Sequence, residues 1–207
     1  MADLKRRMTH TISDEELMSQ VRSGVGESLG VLFERYRTPL LNFYYKLTGD
    51  RGLSEDLVQE VFFRILKYRH SYRPETGFRA WMYQIARNAR VDHWRRQKPE
   101  TSWKPEMSPP VMPEDKAEEA QQHALLHSAL LELSEEKREV LVLSRFQDLK
   151  YEEIAVLLGC EVNTVKVKVF RALRELREVF EALESGKLVR KQGLRDAGMR
   201  PGTGSVQ

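Results

Sequence analysis

YEEIAVLLGCEVNTVKVKVFRALRELREVF, residues 151–180, is the stretch on which the fold turns. Tyr151 to Leu158 reads as a short amphipathic helix with Ile154, Ala155 and Leu158 inward. Gly159, Cys160 and Glu161 make a tight turn, since glycine accepts the backbone conformations that end a helix. A second helix follows from about Val162 to Phe180, with Val165, Val169, Ala172, Leu173 and Leu176 as its core stripe. Two such helices across a glycine turn form a helix-turn-helix, whose second helix enters a DNA major groove. The faces left over carry Asn163, Thr164, Lys166, Lys168, Arg171, Arg174 and Arg177. Cations neutralise phosphates, and arginine can read guanine through paired hydrogen bonds. Val167 and Phe170 lie off the core stripe, where apolar groups can touch thymine methyls or a neighbouring protein. A solvated bundle helix would carry charge too, but the glycine turn and the cation excess together favour DNA.

Prolines divide the chain upstream of this stretch. Five of the eight (Pro99, Pro105, Pro109, Pro110 and Pro113) fall in one segment with no periodic apolar pattern. Proline offers no N–H to a helix or sheet, so the segment reads as an extended linker. The resulting division is an extension over residues 1–13, a unit over 14–97, a linker over 98–113, a second unit over 114–183 and a basic, Gly-rich tail over 184–207, expected to be disordered. The first unit is helical as well. Ser13 with Glu16 makes a capping box, and Gly24 is a stop. Leu29, Leu32, Phe33, Tyr36, Leu40, Phe43, Tyr44 and Leu47 keep a helical period, which Pro39 is expected to kink or unpair. Ser54 reads as the cap of a helix with Leu57, Val61 and Ile65 buried. A further helix over Phe78–Arg96 turns Phe78, Met82, Ile85 and Ala89 inward. The expected fold is all-α: two small helical domains joined by a Pro-rich linker, the C-terminal one a helix-turn-helix.

Composition excludes several classes. The 207 residues suit one medium domain or two small ones, with 41% hydrophobic and 31% charged residues. No apolar run approaches the ~20 residues of a membrane span, and Met1–His10 is followed by no apolar signal core. The expectation is a cytoplasmic protein with no membrane insertion. One cysteine, Cys160, leaves no internal disulfide and no multi-Cys zinc site. His123 and His127 are four apart but lack the glutamate of a zinc-hydrolase motif, and no phosphate-loop sequence occurs. No enzymatic activity, metal or cofactor is expected. The net charge of +3, from 34 Lys+Arg against 31 Asp+Glu, says little until the charges are placed.

Two surfaces of the first unit stand out. On the Phe78–Arg96 helix, Arg79, Tyr83, Arg87, Arg90 and Trp94 share one stripe, while Trp81, Gln84, Asn88 and Arg95 share another. Aromatics interleaved with arginine suit single-stranded nucleic acid, since rings stack on bases while cations follow phosphates; Trp and Tyr are also ordinary core residues. The loop Tyr72–Phe78 has the turn chemistry of a pocket rim. On the helix from Ser54, Asp56, Gln59, Glu60, Phe63 and Lys67 lie opposite the buried stripe, and an outward Phe63 suggests a protein-docking face.

In this order the pieces resemble a bacterial RNA polymerase sigma factor of the extracytoplasmic-function (ECF) class of the sigma-70 family. EDLVQEVFFRI looks like the polymerase-binding helix, FRAWMYQIARNARVDHWRR like the promoter-melting and −10 helix, and residues 133–176 like the −35-reading helix-turn-helix. The resemblance implies core RNA polymerase as partner, through the clamp helices of its largest subunit and the flap of the second-largest. It implies promoter DNA as well, and an anti-sigma factor as a further candidate. Asp56, Gln59, Glu60, Phe62 and Phe63 would dock on polymerase. Tyr72, Arg73, Phe78, Trp81, Tyr83, Arg87, Asn88, Arg95 and Arg96 would melt and hold the −10 element. Thr164, Lys166, Val167, Lys168, Phe170, Arg171 and Arg174 would meet the −35 element. Val167, Asn163 and Glu161 depart from residues common at those places in the family, so the −35 preference does not carry over. The rival reading is a stand-alone helix-turn-helix regulator needing no polymerase.

Overall fold

The computed structural model describes residues 12–96 and 117–186. Most of the expected extension, the linker and nearly all of the tail lie outside them. Among the described residues all regular structure is helical. Helix α1 spans Asp14–Arg22, and its N-cap Ser13 accepts the Glu16 N–H at 3.1 Å, with three acids in the first turn where the helix dipole favours them. Helix α2, Gly26–Thr48, runs unbroken through Pro39. Proline deprives the Arg35 carbonyl of its helical donor. Yet Tyr36, Leu40, Phe43 and Tyr44 are buried on both sides of it, and this packing holds the two halves of the helix together.

Gly49 ends α2 in the left-handed region at φ 74°, and α3, Arg51–Lys67, begins at once. Its cap is therefore Asp50, which accepts the Leu53 N–H at 3.0 Å, and not Ser54. Ser54 is buried inside the first turn, with its hydroxyl donating to the Asp50 carbonyl at 2.5 Å. Two single 3-10 turns, Arg69–Ser71 and Pro74–Thr76, lead to α4, Phe78–Arg96. In this half α2 packs on α1 and α3, and α3 packs on α4.

The second half comprises α5 (Ala117–Glu132), α6 (Glu135–Leu141) continuing into a π-helical turn over Val142–Phe146, α7 (Tyr151–Leu158) and α8 (Val162–Glu184). Helix α8 packs on α5, α6 and α7. Gly159 takes the left-handed cap of α7 at φ 63°, as the turn between the two helices demands.

As expected, the described residues form two helical units, the C-terminal one carrying a helix-turn-helix, and the two pack against one another. Helix α2 lies against α5 and the π-helical turn, α4 lies against α7, and buried hydrophobic residues from Leu17 to Ala172 form one cluster. The His127 ring stacks on Tyr45 with centroids 4.4 Å apart and planes 8° from parallel. The Arg138 guanidinium donates to the carbonyls of Leu130, Leu131 and Leu133 at 2.6–2.9 Å and, across the junction, to that of Leu47 at 2.5 Å. Burial holds its pKa below the usual arginine value. These carbonyls close α2 and α5, whose ends have no helical donors of their own. No described helix is long and apolar enough to cross a membrane.

A side chain at Gly49 would meet both the left-handed backbone and the second half, because an added Cβ would stand 2.9 Å from Leu131 Cδ1. Gly49→Ala should cost about 1–2 kcal/mol, mainly from the backbone term. Urea denaturation reads this as a lower midpoint; an unchanged midpoint would rule out the left-handed cap.

Candidate nucleic-acid interface

Helix α4 begins after Gly77, whose φ of 68° and ψ of 141° are open to glycine and strained for other residues. Glu15 of α1 accepts the Phe78 N–H at 3.2 Å and so caps α4 from another helix. Phe78, Met82, Ile85 and Ala89 are buried as the period requires. The two remaining stripes meet different fates. Asn88, Arg95 and Arg96 are exposed, and Asn88 accepts from the Gln84 amide at 3.2 Å. Trp81 is half-buried, its ring 5.1 Å from that of Tyr72.

The stripe of Arg79, Tyr83, Arg87 and Arg90 is turned towards the second half. Tyr83 is 1% exposed and its hydroxyl donates to Gln147 Oε1 at 2.5 Å. Burial raises its pKa. Arg79 donates to the Gln147 carbonyl. Arg87 grips both carboxylate oxygens of Glu139, at 3.0 and 3.2 Å, and donates to the Leu157 carbonyl at the end of α7. Arg90 reaches the same Glu139 oxygen at 3.2 Å and also pairs with Glu135. Tyr83 and Arg87, expected at an outer surface, are thus interior to the junction. Their partners lie far along the chain, where helical spacing carries no information.

The rim loop is also partly core. Tyr72 and Phe78 are 1% and 0% exposed and form an aromatic cluster with Trp81, while Arg73 is exposed. The buried Tyr72 hydroxyl has no hydrogen-bond partner among the described residues. Burial, with added repulsion from Glu15, Asp14 and Glu75, pushes its pKa up to about 12.

On α3, Asp56 and Gln59 are exposed and Phe63 is 62% exposed. Glu60 is tied to Arg64 at 2.6 Å, and Arg64 also donates to Asp92 of α4 at 2.7 Å, fastening the two helices. That hydrogen bond holds the Asp92 carboxyl below the usual carboxylate range. Phe62 departs from expectation. It is buried edge-on against Phe33, centroids 4.9 Å apart, because a full turn of apolar residues around Val58 and Val61 faces α2.

In the helix-turn-helix, Ile154, Ala155 and Leu157 of α7 and Val165, Val169 and Ala172 of α8 are buried. Thr164, Lys166, Val167, Phe170, Arg171 and Arg174 are exposed, Phe170 by 68%. Lys168 pairs with Glu136 of α6 and holds that carboxyl below its usual range; Arg174 lies 3.7 Å from Glu178. Among the described residues no cluster of His, Cys, Asp and Glu side chains is placed to hold a metal ion.

The sequence matches Sigma-70 region 2 over residues 32–100 and Sigma-70, region 4 over residues 123–176. It is 30% identical over 158 residues to RNA polymerase sigma factor YlaC of Bacillus subtilis, covering 73% of this chain and 91% of that protein. The chain belongs to the sigma-70 family. It is 29% identical over 171 residues to RNA polymerase sigma factor CarQ of Myxococcus xanthus, covering 81% of this chain and 97% of that one. Among solved structures, CnrH in complex with the cytosolic domain of CnrY superposes with a TM-score of 0.64 at 25% identity, over 82% of this chain and 97% of that chain. The protein is a sigma factor of the ECF class that depends on RNA polymerase, and it is a transcription initiation factor, not an enzyme. A match to region 2 removes the stand-alone regulator.

Sequence reasoning passed over Glu135, Glu139, Arg138 and Gln147 of the sigma factor. Glu139 did leave a signal: it directly precedes the apolar run Val140–Leu143, and a carboxylate next to a core segment needs a buried cation.

The neighbouring phenylalanines give a direct check on this geometry. Phe62→Ala should cost about 3–5 kcal/mol of stability, as for a core aromatic, whereas Phe63→Ala should stay within about 0.5 kcal/mol. Equal losses in thermal or denaturant unfolding would contradict the placement of the two rings.

Proposed function

We propose that residues 14–97 dock on core RNA polymerase and open the −10 element, and that residues 114–183 read the −35 element, in the cytoplasm where polymerase works. Asp56, Gln59, Glu60 and Phe63 form the docking face for the clamp helices, with Phe62 stiffening it from beneath. Exposed polar groups around a bare aromatic ring are the ordinary composition of a protein interface. Trp81, Asn88, Arg95 and Arg96 meet the separated strand, and Arg73 stands beside it. The observation that carries this reading is the Tyr72 hydroxyl, buried without a partner among the described residues, beside Trp81 and the loop that leads into α4. A buried hydroxyl without a partner is costly, and the edge of an extruded base would supply one. Phe78 supports the pocket from within.

On α8, Lys166, Val167, Phe170 and Arg171 form the −35 reading face, with Thr164, Lys168 and Arg174 at its margins towards the phosphates. The exposure of Val167 and Phe170 supports contact with thymine methyls. This half also faces the flap of the second-largest polymerase subunit. CnrH was solved with part of another protein bound, and by that likeness this reading includes a protein partner of the anti-sigma kind.

Transcription in vitro with core polymerase and a promoter library tests the assignment. Asp56→Ala with Gln59→Ala should weaken core binding about tenfold or more, the effect of removing central interface side chains, with an unchanged melting curve. Arg171→Ala should cost ~1–3 kcal/mol at one −35 position and relax preference there. Wild-type core affinity in the first variant, or an unaltered −35 profile in the second, would refute the corresponding surface.

A further inference from the structure

A cleft of about 440 Å³ opens between α2, α4 and the π-helical turn with the loop that follows it. None of the residues proposed for polymerase docking or for the −35 element lines it. Its volume falls in the ~300–1,000 Å³ range of small-molecule sites. The floor is the buried Tyr36, Tyr83 and Gln147. Three half-buried cations, Arg35, Lys46 and Arg79, stand along it, and Thr38, Asn42 and Asp148 form an exposed rim. Asp14 answers the Arg35 charge, whereas no carboxylate of the described residues pairs with Arg79 or Lys46. Arg79 donates to the Gln147 carbonyl, and the Lys46 ammonium stands over the Phe146 ring, 4.8 Å from its centroid. Burial holds the Lys46 pKa below the usual lysine value. Burial and Asp14 push the Tyr36 hydroxyl's pKa up while Arg79 and Arg35 pull it down, so both guanidiniums act at one end of the cleft.

Arg35, Thr38, Asn42 and Lys46 recur at three- and four-residue steps, so they share one face of α2 over about 16 Å of helix. A bare phosphate is too short to meet both ends of that face. Planar guanidiniums match the oxygens of a phosphate, and an aromatic ring with an amide beside it suits a flat heterocycle. Asp148, at the rim, holds φ 49°, in the left-handed region that is uncommon outside glycine. Conformations of that kind collect at ligand clamps. We propose that this cleft binds a small nucleoside phosphate, with its phosphate held by Arg79 and Arg35 and its base lying along Phe146 between Lys46 and Asn42. The ligand touches both helical units, so its binding stabilises the folded chain. The site is separate from the surfaces assigned to polymerase and to the −35 element, and it adds a small-molecule ligand to a protein of macromolecular partners.

The test is titration calorimetry of the full chain at fixed salt with AMP, GMP, CMP and UMP, and with the matching nucleosides and inorganic phosphate as fragments. At least one nucleotide should bind once per chain, about tenfold or more tightly than either of its fragments, since each fragment reaches only one end of the cleft. The same nucleotide should raise the melting temperature. Thr38→Glu and Asn42→Asp each set a carboxylate on the exposed rim, so both should fold normally and weaken that nucleotide about tenfold or more. Lys46→Gln removes a cation that no carboxylate holds and should weaken it as well. Gln122→Glu, at an exposed position on α5 outside the cleft, adds the same charge as the rim variants and should stay within about twofold of wild type. No binding of any of these nucleotides up to about 1 mM overturns the site. Undiminished affinity in the folded rim variants, or an equal loss in Gln122→Glu, overturns it too. Inorganic phosphate bound as tightly as the nucleotide, or displacement of the nucleotide by an equal concentration of a single-stranded 20-mer, overturns the assignment to a small nucleoside phosphate.

Discussion

Glu139 sits between two guanidiniums at the junction of the halves, and the closed arrangement is organised around it. An ionised carboxylate in this position loses its water, a cost of several kcal/mol unless charge and hydrogen bonds replace it. Arg87 supplies a forked pair and Arg90 a further hydrogen bond. Satisfying one acid thus joins α4 to α6 through side chains, while α7 lies on α4 and the π-helical turn on α2. Arg138 completes the join from the opposite side through the carbonyl of Leu47. Such buried networks are unforgiving: removing one partner leaves the other charge uncompensated, so the junction is either formed or broken.

This constraint sorts the surfaces of the sigma factor. The α3 face around Phe63 and the α8 face around Phe170 are exposed while the chain is closed. On α4 Asn88, Trp94 and Arg95 are exposed, whereas Tyr83 and Arg90 are covered and Arg87 is largely so. A chain with two modest DNA-binding modules gains most of its promoter affinity when both are tethered to one polymerase.

Local features were legible in the sequence and long-range ones were not. Residues 151–180 carry a helical period, a left-handed glycine and a second period within thirty residues, and each of these is a local matter. The cap of α3 was misread because Ser54 with two following acids is a good cap by composition, whereas Gly49 ends α2 so sharply that Asp50 does the work. Phe62 and Phe63 are adjacent, and only Phe33, on another helix, decides which of them is covered. Tyr83 and Arg87 fitted a nucleic-acid stripe by type and spacing, but their partners Gln147 and Glu139 lie more than fifty residues downstream. The prolines marked off two units, but proline content reports on the connecting chain and not on what the connected units bury together.

The packing of the two halves against each other in the free chain is the constraint to test. Energy transfer measures this directly, with one dye on the native Cys160 in the helix-turn-helix and the other on Ser71→Cys beside the aromatic cluster of the first half. High transfer is expected in the free chain, and a marked fall in Glu135→Gln with Glu139→Gln, which removes the charges that hold Arg87 and Arg90. Transfer that stays the same in that variant, or that is already low in the free chain, would contradict the closed packing.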